Sequence, residues 1–189
     1  MARSRRTRQG QDTLDGGRDD DSLDGGDDAD RILGRGGRDE LLGGNGPDTL
    51  RGGGWADLIN GGEGDDRIYG GAASDTLIGG AGADRFFFTG DFFFDRIEDF
   101  EDTVGAEPAF DGLDRIHLRD LRDENGGAAL SFDQLLITQV GSKTRIELDI
   151  DQDGVADVID LDEDGDTDRA RIDLMNFTAT NLDAADFIF

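Results

Sequence analysis

An aspartate recurs on every ninth residue of this chain, at Asp12, Asp21, Asp30, Asp39, Asp48, Asp57, Asp66, Asp75 and Asp84, without a slip in register. Two places after each stands a large apolar residue: Leu14, Leu23, Ile32, Leu41, Leu50, Ile59, Ile68, Leu77 and Phe86. Most units open on a glycine pair, as in GGEGDDRIY at 61–69. A two-position register of this length demands an architecture that grows by one small unit at a time, and it is not what a glycine-rich flexible linker carries.

Glycines at positions one, two and four of a unit permit backbone angles that other residues resist, so the first six residues are expected to turn tightly. The last three are left for a short strand. Alternate strand residues face opposite ways, so only the apolar residue at position eight need point inward. Two units then make one flattened coil, and stacking sets the turns of units n and n+2 side by side with their aspartates in register. One buried Leu or Ile per unit does not offset the entropy of ordering nine backbones, and aligned carboxylates repel. The missing contribution is a cation that takes many oxygen ligands. Calcium accepts about six to eight oxygens, backbone carbonyls included, whereas magnesium demands a stricter octahedron and keeps its waters.

The stretch resembles the RTX, or hemolysin-type, calcium-binding nonapeptide repeat GGxGxDxUx of secreted bacterial proteins. The resemblance implies an all-β fold: a parallel β-roll, a β-solenoid of nonapeptide repeats, over residues 10–87. It further implies several calcium ions between adjacent turns, held by sixth-position aspartates and by carbonyls of the glycine positions. Carried over here, Asp12, Asp30, Asp48, Asp66 and Asp84 line one edge and Asp21, Asp39, Asp57 and Asp75 the other. The glycines that match are Gly43, Gly44, Gly61, Gly62, Gly64, Gly79, Gly80 and Gly82. Some units depart from the pattern. The fourth-position glycine is replaced by Asp19, Asp28, Trp55 and Ala73, and Arg35 stands at a second position. Trp55 in a glycine turn predicts a distorted unit. Residues 1–9 form a basic tail, RSRRTR, that overlaps a degenerate first repeat with Thr7 and Arg8 in place of glycines.

All 12 phenylalanines lie at or after Phe86, so a differently built region begins near residue 88. Its apolar runs, among them LLITQV, TRIELDI and ARIDLM, alternate and predict a β-rich C-terminal cap over 88–189 that covers the end of the solenoid. DRIEDF (95–100) and LDRIHLRDL (113–121) are similar to the start of the C-terminal domain of serralysin-like metalloproteases. A second acidic pattern, DIDQDGVADVID, sets Asp149, Asp151 and Asp153 ahead of Gly154, with Asp157 and Asp160 at the ninth and twelfth places of an EF-hand-like loop. Its flanks read as strands, so a calcium-capable acidic hairpin is expected there. The chain ends LDAADFIF (182–189), and residues 183–189 resemble the uncleaved C-terminal export signal of serralysin-like and other RTX proteins. With no apolar N-terminal signal, this implies one-step export through an ABC-type secretion channel to the cell exterior.

With 45 acidic and 19 basic residues and a net charge of −26, a nucleic-acid partner is not expected, because phosphate binding needs a basic face. No apolar run is long enough to span a membrane. The absence of cysteine excludes disulfides and thiolate metal sites. A single histidine, His117, makes an HExxH zinc site impossible within the chain, and neither GxSxG nor a GK[ST] phosphate loop occurs. His117 is expected to face solvent. No catalytic motif is therefore present. The favoured function is calcium binding by a secreted module that folds outside the cell. The alternatives are an extracellular adhesion or binding scaffold, or the non-catalytic C-terminal part of a serralysin-like metalloprotease or polysaccharide-modifying enzyme whose N-terminal catalytic domain lies outside this chain.

Overall fold

The computed structural model describes residues 4–7, 9–88, 94–100, 114–118, 135–140, 143–148, 171–175 and 187–188. Among these every element is a β-strand, and none is a helix long and apolar enough to cross a membrane. The repeat region supplies β1 (Ser4–Arg6), β2 (Thr13–Gly17), β3 (Ser22–Asp27), β4 (Arg31–Gly36), β5 (Glu40–Asn45), β6 (Thr49–Gly54), β7 (Leu58–Glu63), β8 (Arg67–Ala72), β9 (Thr76–Ala81) and β10 (Arg85–Phe87). Successive strands alternate between two sheets, so that β1, β3, β5, β7 and β9 lie side by side in one and β2, β4, β6, β8 and β10 in the other. All these neighbours are parallel and in register: Leu41 pairs with Leu23 and Ile59, and Ile68 with Leu50 and Phe86. The fold is the parallel β-roll that the nine-residue period implies.

The core is a single stack of the position-eight residues between the sheets, from Leu14 to Phe86, each at most 3% exposed. The strands are longer than expected. They run for six residues, through the glycine pair of the following unit, and the turn is confined to positions four to six. The reason is backbone crowding. Second-position glycines stack directly, with Gly44 paired to Gly26 and Gly62, and a Cβ on Gly44, Gly62 or Gly80 would lie closer than 3.0 Å to the carbonyl oxygen of the glycine one coil earlier. A residue without a side chain therefore does not end the strand here; it lets the ladder continue.

Gly62 holds φ at 112°, and four of the five residues that replace glycine adopt the same left-handed region: Asp28 at 80°, Arg35 at 77°, Trp55 at 80° and Ala73 at 81°, Asp19 being the exception. The expected distortion at Trp55 is absent. Gly54 still pairs with Ala72 and Leu58 with Thr76, while the indole projects into solvent, 66% exposed. The unit keeps its shape by forcing a side-chain-bearing residue into a glycine conformation.

Beyond residue 87 the coil continues. Strand β11 (Phe94–Ile97) pairs in parallel with β9, and β12 (Arg115–His117) with β10. Four further strands follow: β13 (Leu135–Val140), β14 (Lys143–Leu148), β15 (Arg171–Met175) and β16 (Phe187–Ile188). β15 lies parallel to β11 and is joined by antiparallel β14 and β13, completing a nine-stranded sheet. β16 lies parallel to β12 at the edge of the seven-stranded sheet. His117 does not face solvent freely. It is half-buried and stacked on Phe87, ring centroids 4.2 Å apart, because it occupies the outward position next to Phe87 on the neighbouring strand.

Trp55→Gly should raise stability by about 0.5–1 kcal/mol, the left-handed penalty removed less the extra chain entropy of glycine. Gly62→Ala should lower it by about 2 kcal/mol or more, since it combines that penalty with the clash on Gly44. Thermal unfolding in saturating calcium checks both.

Candidate metal centre

The sixth-position aspartates sit where the turn re-enters the strand, and they point inward. Asp21, Asp30, Asp39, Asp48, Asp57, Asp66, Asp75 and Asp84 are all buried, at most 4% exposed, whereas Asp12 on the first coil is only half-buried. They form two ladders, one along each edge of the roll. On the first, the backbone N–H of Asp12 donates to Oδ1 of Asp30 at 2.7 Å, Asp30 to Asp48 at 2.6 Å, Asp48 to Asp66 at 2.8 Å and Asp66 to Asp84 at 2.9 Å. On the second, Asp21 donates to Asp39, Asp39 to Asp57 and Asp57 to Asp75, at 2.7–2.8 Å. These are the two alignments expected from the period.

The ladders run past the repeat. Asp75 donates to Asp95 at 2.8 Å and Asp84 to Asp114 at 3.0 Å, both acceptors buried. Sequence reasoning missed Asp95 and Asp114 because the coil spacing widens from 18 residues to 20 and then 30. The signal was nonetheless present: DRI at 95–97 and again at 114–116 repeats the Asp-x-apolar triplet of DRI at 66–68. Asp99 was missed too. Its carboxylate accepts from the N–H groups of both Gly79 and Gly80 at 2.9 Å, closing the ladder of the nine-stranded sheet at that edge.

Each carboxylate has one oxygen committed to a backbone N–H. The second oxygen, Oδ2, of Asp30, Asp39, Asp48, Asp57, Asp66, Asp75 and Asp95 is buried and accepts no hydrogen bond. This arrangement is costly in a protein interior, where an ionised carboxylate left half-satisfied favours neutralisation. The first-position glycine of each unit makes room for it. A Cβ on Gly43 would fall closer than 3.0 Å to Oδ2 of Asp48 and to the carbonyl oxygen of Gly61, and a Cβ on Gly61 equally close to Oδ2 of Asp66 and the carbonyl of Gly79. A carboxylate oxygen and a carbonyl oxygen from the next coil thus face one point. At Gly79 the same position meets Oδ2 of Asp84. Gly44, Gly62, Gly64, Gly80 and Gly82 take positive φ instead and crowd the backbone of the preceding coil. Among the described residues no three carboxylate or histidine side chains converge, so a cation here must draw on main-chain carbonyls. A donor set made only of hard oxygens, one of them anionic and unshared, fits calcium. Asp149, Asp151, Asp153, Asp157 and Asp160 lie outside the described residues.

Burial raises the pKa values along both ladders. It pushes Asp57 and Asp66 up to about 8 and Asp48 and Asp75 to about 6, against the hydrogen bond from the backbone, which pulls them down. Neighbouring carboxylates add to the rise at Asp66, chiefly Asp84 and Asp48. Asp95 is held well above the ordinary value by burial and then by Asp75. A carboxyl whose folded pKa lies above its unfolded value of 3.8 favours the fold fully below that value and ceases to do so as pH rises through the folded pKa. Calcium-stripped protein should therefore gain β structure on acidification from pH 8 towards about 5 and lose it on return. A cation takes over the proton's role, so adding calcium near neutral pH should release protons, measurable in weakly buffered solution. Circular dichroism that is flat over this range in stripped protein would contradict the burial of these carboxyls.

Four stretches, 7–41, 33–62, 42–77 and 56–86, match the family of RTX calcium-binding nonapeptide repeats. No curated protein matches the chain. Among solved structures it is similar to the AlgE6R3 subunit from the Azotobacter vinelandii mannuronan C5-epimerase, at 24% identity and a TM-score of 0.50, over 92% of this chain and 80% of that one. It is likewise similar to the AlgE6R2 subunit from the same organism's epimerase, at 23% identity and a TM-score of 0.51, over 84% and 91%. Extracellular lipase LipA from Serratia marcescens aligns at 14% identity and a TM-score of 0.40, over 97% of this chain and 40% of the lipase. Residues 7–86, with their register, paired aspartate ladders and parallel coils, are therefore RTX calcium-binding nonapeptide repeats.

Proposed function

We propose that the chain is a calcium-triggered module which leaves the cell unfolded through an ABC-type secretion channel and folds outside, where calcium is abundant. The observation that carries this reading is the row of buried, half-satisfied carboxylates. With both ladders ionised and metal-free, the roll sets like charges one coil apart in a desolvated interior. In a low-calcium compartment the acidic, glycine-rich chain stays expanded, a state suited to threading through a channel. Outside, each ion that binds the roll and not the open chain shifts the balance towards folding. The ions would be held by Asp21, Asp30, Asp39, Asp48, Asp57, Asp66, Asp75 and Asp84 through Oδ2, with carbonyls of first-position glycines such as Gly61 and Gly79 as partners.

The proposed export signal fits this order of events. Phe187 and Ile188 form β16, and Phe187 is buried against the end of the roll, 5% exposed. A channel could read the terminal residues only in a chain that has not yet folded.

In chelator at pH 8 the full chain should lack a β spectrum and acquire one on adding calcium to about millimolar, the range of extracellular calcium modules. A fully formed β spectrum in chelator at that pH would reject the proposal. The ladder also ranks the sites. Asp66 is bonded to the coils on both sides, through Asp48 and Asp84, whereas Asp12 is bonded through its N–H to Asp30. Asp66→Ala should raise the calcium midpoint clearly more than Asp12→Ala, with Asp66→Asn between Asp66→Ala and the unmodified protein because it keeps an oxygen but loses the charge. Equal shifts for Asp12→Ala and Asp66→Ala would reject the shared-edge arrangement.

A further inference from the structure

Two asparagines of the roll are followed by glycine, Asn45 by Gly46 and Asn60 by Gly61. An asparagine so placed carries a latent electrophile. The backbone nitrogen of the next residue can attack the side-chain amide carbon, and a glycine there sets no side chain in the way and turns its backbone freely. The roll itself requires both glycines. A Cβ on Gly46 would lie closer than 3.0 Å to the carbonyl oxygen of Asp28, and one on Gly61 equally close to Oδ2 of Asp66. Wherever the repeat sets asparagine before such a glycine, the reactive pair comes with the fold.

At Asn45 the folded chain holds the reacting atoms apart. Nδ2 of Asn45 donates to Oδ1 of Asp27 on the preceding coil at 2.8 Å, and the Gly46 N–H donates to the carbonyl of Glu63 on the following coil at 2.6 Å. Electrophile and nucleophile are thus tied to opposite neighbours, although Asn45 is exposed to solvent. The two sites also differ in what a new charge would meet. Asn45 stands in register between Asp27 and Glu63, so a carboxylate there completes a row of three like charges and removes the donor to Asp27. Asn60 lies inside β7 between Leu42 and Ile78, and a carboxylate there faces no like charge in register.

We propose that Asn45–Gly46 is a self-deamidation site which the folded roll guards and the open chain exposes, so that the protein records chemically the time it has spent unfolded. The Gly46 nitrogen bonds to Cγ of Asn45, the Cγ–Nδ2 bond breaks, and ammonia leaves with the proton from the Gly46 N–H. Water then opens the five-membered imide. Opening at Cγ gives aspartate, and opening at the main-chain carbonyl gives isoaspartate. Only water is consumed, and nothing is oxidised or reduced. Aspartate at position 45 still enters the roll, against repulsion from Asp27 and Glu63. Isoaspartate lengthens the main chain by one carbon between the Gly44 stack and the Gly46 N–H, which takes that N–H out of register with Glu63. A chain that folds promptly keeps its coil, and one that lingers open loses it. The chemistry holds whatever opens the chain; its timing in nature rests on the calcium-triggered folding proposed above.

The test incubates the full chain at pH 8 in saturating calcium, in chelator, and in chelator with urea, and follows position 45 by peptide mapping with mass spectrometry and isoaspartate detection. Deamidation at Asn45 should be about tenfold or more slower in calcium than in urea, because only locally opened chain reacts. The chelator arm separates the two readings: protection that persists there in a chain still folded rejects calcium-triggered folding and supports the guard. Asp27→Ala frees Nδ2 while Gly46 stays tied, so it should deamidate faster than the unmodified protein in calcium and at the same rate in urea. Asn45→Asp should raise the calcium midpoint by about two- to fivefold, the effect of like charges directly opposite on neighbouring strands, and Asn60→Asp by less. A calcium-dependent β spectrum establishes that each variant folds. Equal rates at Asn45 in calcium and in urea would overturn the proposal. No acceleration by Asp27→Ala would overturn the guard, and an Asn45→Asp midpoint equal to that of the unmodified protein would overturn the cost to the coil.

Discussion

Everything in this structure depends on a carboxylate placed where a carboxylate is least welcome. The sixth-position aspartate gives Oδ1 to the backbone of the preceding coil and keeps Oδ2 buried against a glycine. The first role is structural, since the turn N–H groups lie between coils and have no strand partner there. The second is a debt that a proton or a calcium ion can settle. One carboxylate serves both roles, Oδ1 joining the coils and Oδ2 carrying the buried charge beside that bond. In the function proposed above, folding and ion binding are thereby linked through one side chain.

The glycine pattern follows from that carboxylate. First-position glycines leave the volume that Oδ2 occupies, and second-position glycines let backbones approach one coil to the next. Their substitution is therefore governed by different physics. At positions two and four a side chain can be carried if it points outward and accepts positive φ, as Arg35, Trp55 and Ala73 do. At position one a side chain would enter the carboxylate itself, and every unit from Gly16 to Gly79 keeps glycine there.

The period, the position-eight core and the two aspartate edges were all legible in the sequence, because a register error of one residue would turn Ile68 outward and Asp66 away from Asp84. The length of the strands was not. Glycine reads as a turn residue, and only the stacking of Gly26, Gly44, Gly62 and Gly80 turns it into a strand residue. Asp95 and Asp114 were hidden by changes in spacing, since a periodic search fails at the first insertion even when the triplet DRI survives. His117 was misplaced for a related reason: its neighbour across the sheet is Phe87, thirty residues earlier in the chain, and alternation says nothing about what stands beside a strand.

The hydrogen bonds of the ladders all point the same way. In each, an N–H on one coil is satisfied by an aspartate on the next, from Asp12 through to Asp114 and from Asp21 through to Asp95. A coil thus depends on its C-terminal neighbour for an acceptor. The N–H groups that open the strands run the other way, those of Arg31, Thr49 and Arg67 donating to the carbonyls of Asp12, Asp30 and Asp48 on the preceding coil. Each ladder aspartate is thus a two-way tie: the side chain of Asp48 accepts from the coil before it and its carbonyl accepts from the coil after it, so removing a coil at either end strands a donor on the coil that remains.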